Sequence, residues 1–389
     1  MSNDKEINKV KLRDLIQNKI DDSTFEGKYQ ASIRRRVLFI LSLIGITFII
    51  FLVSIGLGAV DIPLRDILRV FGHPIFPNHI GTPSEDYYAD FIFKGRMPRM
   101  CLVILTGFAL GVAGMLMQSL LRNPLVSPFT LGVSTAASFG AALSIVMGPT
   151  LFGSLMGIVL NLGSVKFSIS SLVTVFFAFM FAMLSITFIL ILTKNKDTSR
   201  STIILSGVVI GYLFQAGIMA TKYFSDDSQL REITLWIMGS TSGASWGIII
   251  LLLPIVAICS IYIFKMSMDV NTLSAGDDVA SSLGVDVHKL RRKGLIVATF
   301  MTAACLAFTG VIGFIGLMAP HICRMLIGND SRYLMPAAGL MGVVILGISD
   351  LFSRMVIRPG ELPVGIILYV VGGIFFIWMI TNKKWSQRL

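Results

Sequence analysis

Met100-Cys-Leu-Val-Ile-Leu-Thr-Gly107-Phe-Ala-Leu-Gly111-Val-Ala-Gly114-Met-Leu-Met117-Gln118-Ser-Leu-Leu121 contains no Asp, Glu, Lys or Arg. It is long enough to cross a bilayer as a helix, which takes ~20 apolar residues. Arg122-Asn123-Pro124-Leu125-Val-Ser-Pro128 follows at once, and its two prolines keep the helix from continuing. A second apolar run then occupies 129–148. Two membrane helices joined by a tight turn make the chain an all-α polytopic membrane protein.

Working outward, eight further runs are strongly apolar, with Arg324, Asp350 and Arg354 the charges among them: 37–60, 168–193, 202–221, 246–264, 295–313, 314–327, 333–355 and 363–381. The expectation is therefore ten transmembrane helices, the eighth short and interrupted by Pro320 and His321. The stretch 149–163 is apolar but broken by Gly, Pro and Asn, and reads as an outer loop or re-entrant piece. Composition agrees with the spans. Of the 389 residues 54% are hydrophobic and 14% charged, and the mean hydropathy is +0.79. A soluble chain has no way to hide so much apolar surface. That excludes a soluble enzyme, a nucleic-acid-binding domain and a disordered protein. The four cysteines, Cys101, Cys259, Cys305 and Cys323, lie in apolar stretches and form no Cys-x-x-Cys pair.

Ten spans put both termini on one side. The first 36 residues carry nine Lys or Arg, and the tail adds Lys383, Lys384 and Arg388. The positive-inside rule then places both termini in the cytoplasm. The chain divides into a tail 1–36, a membrane domain 37–381 and a short tail 382–389. Gly107-x-x-x-Gly111-x-x-Gly114 and Gly310-x-x-Gly313-x-x-Gly316 are read as helix-packing glycines, since small residues let backbones approach closely in lipid.

No phosphate-binding Gly-x-x-x-x-Gly-Lys-Ser/Thr occurs, so the chain has no ATP cradle of its own. Neither His-Glu-x-x-His nor Gly-x-Ser-x-Gly appears, so no catalytic or metal-ligating set is assigned. A stand-alone secondary transporter or channel would carry buried ion-binding carboxylates or histidines. The nearest are Asp350, one turn before Arg354, and His321, both accounted for by local pairing or packing. A lipid-modifying enzyme would need paired acids at the interface, and none is visible. The longest inner segment between spans, 265–294, holds Leu273-Ser-Ala-Gly276-Asp277-Asp278-Val-Ala280-Ser-Ser-Leu283-Gly284-Val285. Residues 277–283 can form a short helix with Val279, Ala280 and Leu283 on one side. It suits docking into a soluble partner, or equally a solvated loop whose basic end anchors the next span.

Six motifs in order now make the reading specific. They are Gly95-Arg96-Met97-Pro98-Arg99; Gly114 through Gln118-x-x-x-Arg122-Asn123-Pro124-Leu125 to Leu131-Gly132-Val133; Trp236-Ile-Met238-Gly239-Ser240; the segment 273–285; Gly313-Phe314-Ile315-Gly316-Leu317-x-x-Pro320-His321-x-x-Arg324; and Asp350-x-x-x-Arg354 with Glu361-Leu362-Pro363-Val364-Gly365. Over 37–381 the sequence resembles the permease family of binding-protein-dependent type II ABC importers for iron-siderophores, haem and cobalamin.

The resemblance implies an inverted repeat and a second permease subunit, identical or homologous. It also implies two cytoplasmic ATP-binding subunits, with ATP and Mg held there and no cofactor on this chain, and an extracytoplasmic substrate-binding protein. It places Arg96, Arg99 and Arg354 opposite carboxylates of the binding protein; the alternative is that they snorkel to lipid headgroups. It makes Asn123 and Leu125 part of a cytoplasmic gate, with Ser199 and Ser201 on the same constriction. Leu273, Gly276, Asp277, Asp278, Ala280, Leu283, Gly284 and Val285, within a coupling segment 269–289, would seat in the ATPase. The implied cargo is a ferric siderophore, with haem and cobalamin as rivals. A longer first outer loop, His73 to Lys94, and the charged N-terminal tail depart from the family pattern.

Overall fold

The computed structural model describes residues 25–58, 62–73, 76, 77, 79, 81–162, 165–194 and 199–381. Residues 1–24 and 382–389, where the two terminal tails were expected, lie outside them. Among the described residues, nine helices are long and apolar enough to cross a membrane. They are α1 (Phe25–Gly56), α3 (Tyr87–Leu121), α4 (Val133–Phe152), α5 (Ile169–Leu192), α6 (Arg200–Tyr223), α8 (Trp246–Lys265), α11 (Val287–Thr309), α13 (Ser331–Met355) and α14 (Val364–Thr381). Shorter helices are α2 (Leu64–Gly72), α7 (Asp227–Met238), α9 (Ser267–Ser274), α10 (Asp277–Ser282) and α12 (Ile315–Ile327).

Three expectations are refined. The eighth span is a half-length helix: the 13 residues of α12 rise only ~20 Å at 1.5 Å per residue, less than the ~30 Å hydrocarbon core. It is tolerated because most of its residues are buried in protein. Of the two readings of 149–163, the described residues follow the loop one. Helix α4 runs to Phe152, a single 3₁₀ turn follows, and Val159–Leu162 (β1) pairs antiparallel with Val165–Ser168 (β2). Helix α1 begins at Phe25, inside the segment read as the N-terminal tail.

The described residues between α1 and α3 include two anchored pieces. Helix α2 folds over Ile55, Ile62, Ile67, Val70 and Ile92, which form a small apolar cluster of their own. The Asp66 carboxylate pins the loop by accepting from the Ser84 amide at 3.0 Å, the Ser84 hydroxyl at 2.9 Å and Arg69 at 3.1 Å.

Helix α3 is the pillar. It packs against α8, α11, α12 and α13, and nearly all of its residues beyond Met97 are buried. The glycine stripe makes this possible. A Cβ at Gly107 would lie 2.7 Å from the Gly342 carbonyl oxygen, one at Gly111 2.1 Å from that of Ala338, and one at Gly114 1.8 Å from that of Gly316. Helices α3, α12 and α13 therefore meet backbone to backbone. The second glycine set behaves differently. Gly316 shares the α3 contact, but Gly310 closes α11 and abuts Trp236, and Gly313 lies beside Phe129 in the break before α12. The glycines of α6, Gly207 and Gly217, face Leu131 and Phe139 inside the chain.

Gly111→Val forces a methyl into the Ala338 backbone, which no side-chain rotation relieves. The expected cost is about 3 kcal/mol or more. Thermal unfolding of purified protein should show a lowered midpoint or lost yield. Gly45→Val, where a Cβ meets nothing within 4 Å, should unfold like the parent, and equal midpoints for both variants would contradict the crossing.

Candidate coupling and gating site

Helix α10 is delimited by two glycines that take backbone conformations L side chains rarely adopt, Gly276 at φ +131° and Gly284 at φ +86°. Asp277 and Asp278 fill its first turn, where carboxylates complement the helix dipole. The expected apolar side is split. Ala280 is fully buried against the chain's own core, as is Leu273 on α9. Val279 is 45% and Leu283 69% exposed. The two expected contacts Ala280 and Leu273 are thus corrected to internal anchors, because a small side chain at Ala280 lets α10 lie close to the body. Val285 is half-buried against the same core, whereas Asp278, Gly284 and the outward pair face away.

Asp277 wires this helix to the rest. Its Oδ2 accepts from Arg291 at 2.6 Å and lies 3.8 Å from the Arg200 guanidinium. Arg291 is buried, and its Nε donates to the Leu120 carbonyl at 3.0 Å. Leu120 lies in the last turn of α3, two residues before Arg122, and Arg200 opens α6 next to Ser199. Partial burial pushes the Asp277 carboxyl up, but the Arg291 hydrogen bond and the charges of Arg291, Arg200 and Arg122 outweigh it and hold the group below the usual carboxylate range. Helix α9 is fastened in the same manner. Asn271 donates to Asp330 at 2.9 Å and accepts from the Ser331 amide at 2.7 Å. Arg36 and Arg332 pair with the same carboxylate at 3.0 and 2.8 Å. The Arg332 hydrogen bond does most to hold Asp330 down to about 2. Sequence reasoning passed over Arg291, Arg200, Asn271 and Asp330. Arg291 stands inside the basic run 288–293, where spacing does not single it out.

The gate residues sit where those connections end. Asn123 Oδ1 accepts from the Leu125 amide at 2.9 Å, which folds the turn back on itself. Leu125 is left 53% exposed. Ser199 caps α6 by accepting from the Thr202 amide at 3.1 Å, and Ser201 is exposed beside it. No hydrogen bond among the described residues joins Asn123 or Leu125 to Ser199 or Ser201, so the two segments are placed at one end of the molecule but remain separate.

At the opposite end the three arginines depart from expectation. Arg96, Arg99 and Arg354 are all buried, Arg354 to 3% exposure. Arg96 donates to the Ile55 and Gly56 carbonyls. Arg99 pairs with Asp350 at 2.9 Å and Glu361 at 2.6 Å. Arg354 pairs with Asp350 at 3.0 Å and donates to Ser54 and Leu57. Asp350, with no exposed surface, also accepts from Thr241. Their guanidiniums are engaged within the chain, because a buried charge is tolerated only with a partner. Neither outward docking nor headgroup snorkelling describes them in this structure.

The family model for the FecCD transport family matches residues 46–382. The chain belongs to that family. Curated relatives of this FecCD chain are ABC permeases. The hemin transport system permease of Yersinia pestis is 33% identical over 79% of this chain and 87% of its own length. The Fe(3+)-citrate import system permease of Bacillus subtilis is 31% identical over 91% and 98%. The vitamin B12 import system permease of Klebsiella pneumoniae is 34% identical over 76% and 83%. A solved structure described as an inward-facing metal-chelate type ABC transporter superposes with TM-score 0.72 at 24% identity, covering 87% of this chain and 96% of that one. That likeness shows the fold. The FecCD chain is an integral-membrane permease of the type II ABC importer class, and the sequence expectation of fold holds.

Asp350→Asn leaves Arg99 and Arg354 buried without their shared charge. Breaking such a pair costs about 3–5 kcal/mol, so the variant should lose most of its folded yield. The paired change Arg99→Met with Glu361→Gln, which keeps Asp350–Arg354, should lose less. Unfolding in detergent measures both. An Asp350→Asn protein as stable as the parent would mean the cluster is not the anchor of the outer end.

Proposed function

We propose that this chain is one of two permease subunits of an importer powered by separate cytoplasmic ATPases and loaded by an extracytoplasmic binding protein. Both of its termini lie in the cytoplasm. The observation that carries the reading is α10. It offers an exposed apolar pair, Val279 and Leu283, for a soluble partner, while Asp277 on the same helix is tied through Arg291 and Arg200 to the inner ends of α3 and α6.

In this mechanism the ATPases bind and hydrolyse ATP with Mg. Their movement shifts α10, and the Asp277 contacts pass the shift to the turn bearing Asn123 and Leu125 and to Ser199 and Ser201. Leu125, exposed in the single chain, closes the pathway against the second permease. Lipid surrounds the apolar outer faces of α1, α5 and α8.

The cargo is a metal chelate or corrinoid, with ferric siderophore preferred. Related permeases named for hemin, Fe(3+)-citrate and vitamin B12 lie at similar identity, so haem and cobalamin are the second readings. Uptake by the reconstituted complex should distinguish them across ferric hydroxamates, ferric catecholates, hemin and cobalamin. ATP-dependent uptake of a ferric siderophore is expected; uptake of hemin or cobalamin alone would reassign the cargo, and no ATP-dependent uptake of any would overturn the importer reading.

Docking is tested separately. Burying Leu283 in a partner is worth about 1.5–3 kcal/mol, or roughly 10- to 150-fold in affinity. Val279→Asp with Leu283→Asp should abolish co-purification of the ATPase while the permease still folds, since neither residue is buried. Undiminished co-purification would place docking elsewhere.

A further inference from the structure

A cavity of about 430 Å³ opens at the same end of the molecule as α10, between the ends of α3 and α12, helix α9 and the start of α13. Its walls include Gln118, Arg122, Ser274, His321 and Arg324, and no Asp or Glu. Arg324 donates to the neutral Gln118 side chain at 2.8 Å. Among the described residues neither Arg122 nor Arg324 has a carboxylate within ion-pair distance. The two nearby acids are engaged elsewhere. Asp277, which feels the Arg122 charge, bonds Arg291, and Asp330 is held by Arg36, Arg332 and Asn271. His321 is 4% exposed, and its Nε2 has no hydrogen-bond partner. The start of α13 also reaches the wall, where Asp330 already caps it by accepting from the Arg332 amide at 3.2 Å.

Two guanidiniums and a buried imidazole nitrogen share a cavity whose own wall supplies no carboxylate. Arg122 is exposed and Arg324 half-buried, and a cation drawn partly out of water is stabilised by a counter-charge. We propose that this cavity is a phosphate-binding site, taking the phosphate of an anionic phospholipid headgroup or free phosphate. Planar guanidiniums pair with phosphate oxygens through two hydrogen bonds each. Basic pockets between membrane helices on the cytoplasmic side are suited to such headgroups. The cytoplasmic placement rests on the orientation proposed above; the phosphate chemistry does not, and neither depends on the cargo. A phosphate here would brace Arg122, the first residue of the gate turn, against α12 and against Ser274 at the end of α9. Occupancy would therefore stiffen the path between α10 and the gate.

The test uses the full chain, purified and placed in phosphatidylcholine nanodiscs with or without phosphatidylglycerol. A parallel arm compares inorganic phosphate with chloride at equal ionic strength. Lipid retention is read by native mass spectrometry, and phosphate by the shift in thermal unfolding. Phosphatidylglycerol should be held about 10-fold more tightly than phosphatidylcholine, a difference of about 1.4 kcal/mol. Arg122→Gln with Arg324→Gln should remove that preference. Lys289→Gln, an exposed cation outside the cavity at the same end, should keep it. If phosphate stabilises the chain, phosphatidylglycerol does not, and the double variant loses the effect, the source is free phosphate. Ser274→Glu offers a second route, supplying a carboxylate in place of the anion and lowering retention with both arginines intact. The unmodified chain decides the matter even if the variants misfold. No preference for either probe would leave the cavity to an acidic side chain of a partner and overturn the proposal, as would full preference in the double variant.

Discussion

Backbone contact between α3 and the pair α12 and α13 constrains the rest of the structure. With carbonyl oxygens lying where the Cβ atoms of Gly107, Gly111 and Gly114 would stand, the three helices have no side-chain layer between them to slide on. Helix α3 is therefore a rod that keeps its two ends in fixed relation. Its outer end carries Arg99, locked to Asp350 and Glu361. Its inner end carries Leu120, whose carbonyl holds Arg291, and then the gate turn. In lipid, where apolar burial does not drive helices together, such close van der Waals contact is a main source of association.

The charges complete this division of labour. At the outer end they are buried and mutually satisfied, so they fasten α1, α3 and α13 and leave little for a partner. At the inner end Asp277 and Asp330 are only partly buried and each faces several cations. Asp277 joins α10 to α11, α3 and α6; Asp330 joins α9 to α1 and α13. A segment that looked like a loop between two spans is thus tied to most of the helices that end beside it. A push on its exposed face has few places to go except into those ends.

Much of this was legible in the sequence because membrane helices announce themselves. Apolar runs located the long helices, although α1, α3 and α11 begin well before the runs do; the prolines after Leu121 marked the turn, and Gly107, Gly111 and Gly114 marked the crossing. What hid depended on direction, which spacing alone does not settle. Val279, Ala280 and Leu283 share a helix, yet only the body packed behind it decides that Ala280 turns inward. Arg96, Arg99 and Arg354 lie near span ends, where snorkelling or docking is the natural reading; only the fold brings Asp350 and Glu361 from some 250 residues away to meet Arg99. Arg291 was invisible for the opposite reason, one basic residue among several, distinguished only by the Leu120 carbonyl above it.

The central claim is that α10 and the gate turn move as one body when the ATPase acts. It is tested most directly by pulsed electron-electron distance measurement in the assembled complex. Spin labels would be placed at Ser281 on α10 and at Leu125, with the four native cysteines replaced. Distances would be compared between nucleotide-free and ATP-trapped states. The account predicts a constant Ser281–Leu125 distance within one permease while the Leu125–Leu125 distance across the pair changes. A changing distance within one chain, with Leu125 fixed across the pair, would contradict it.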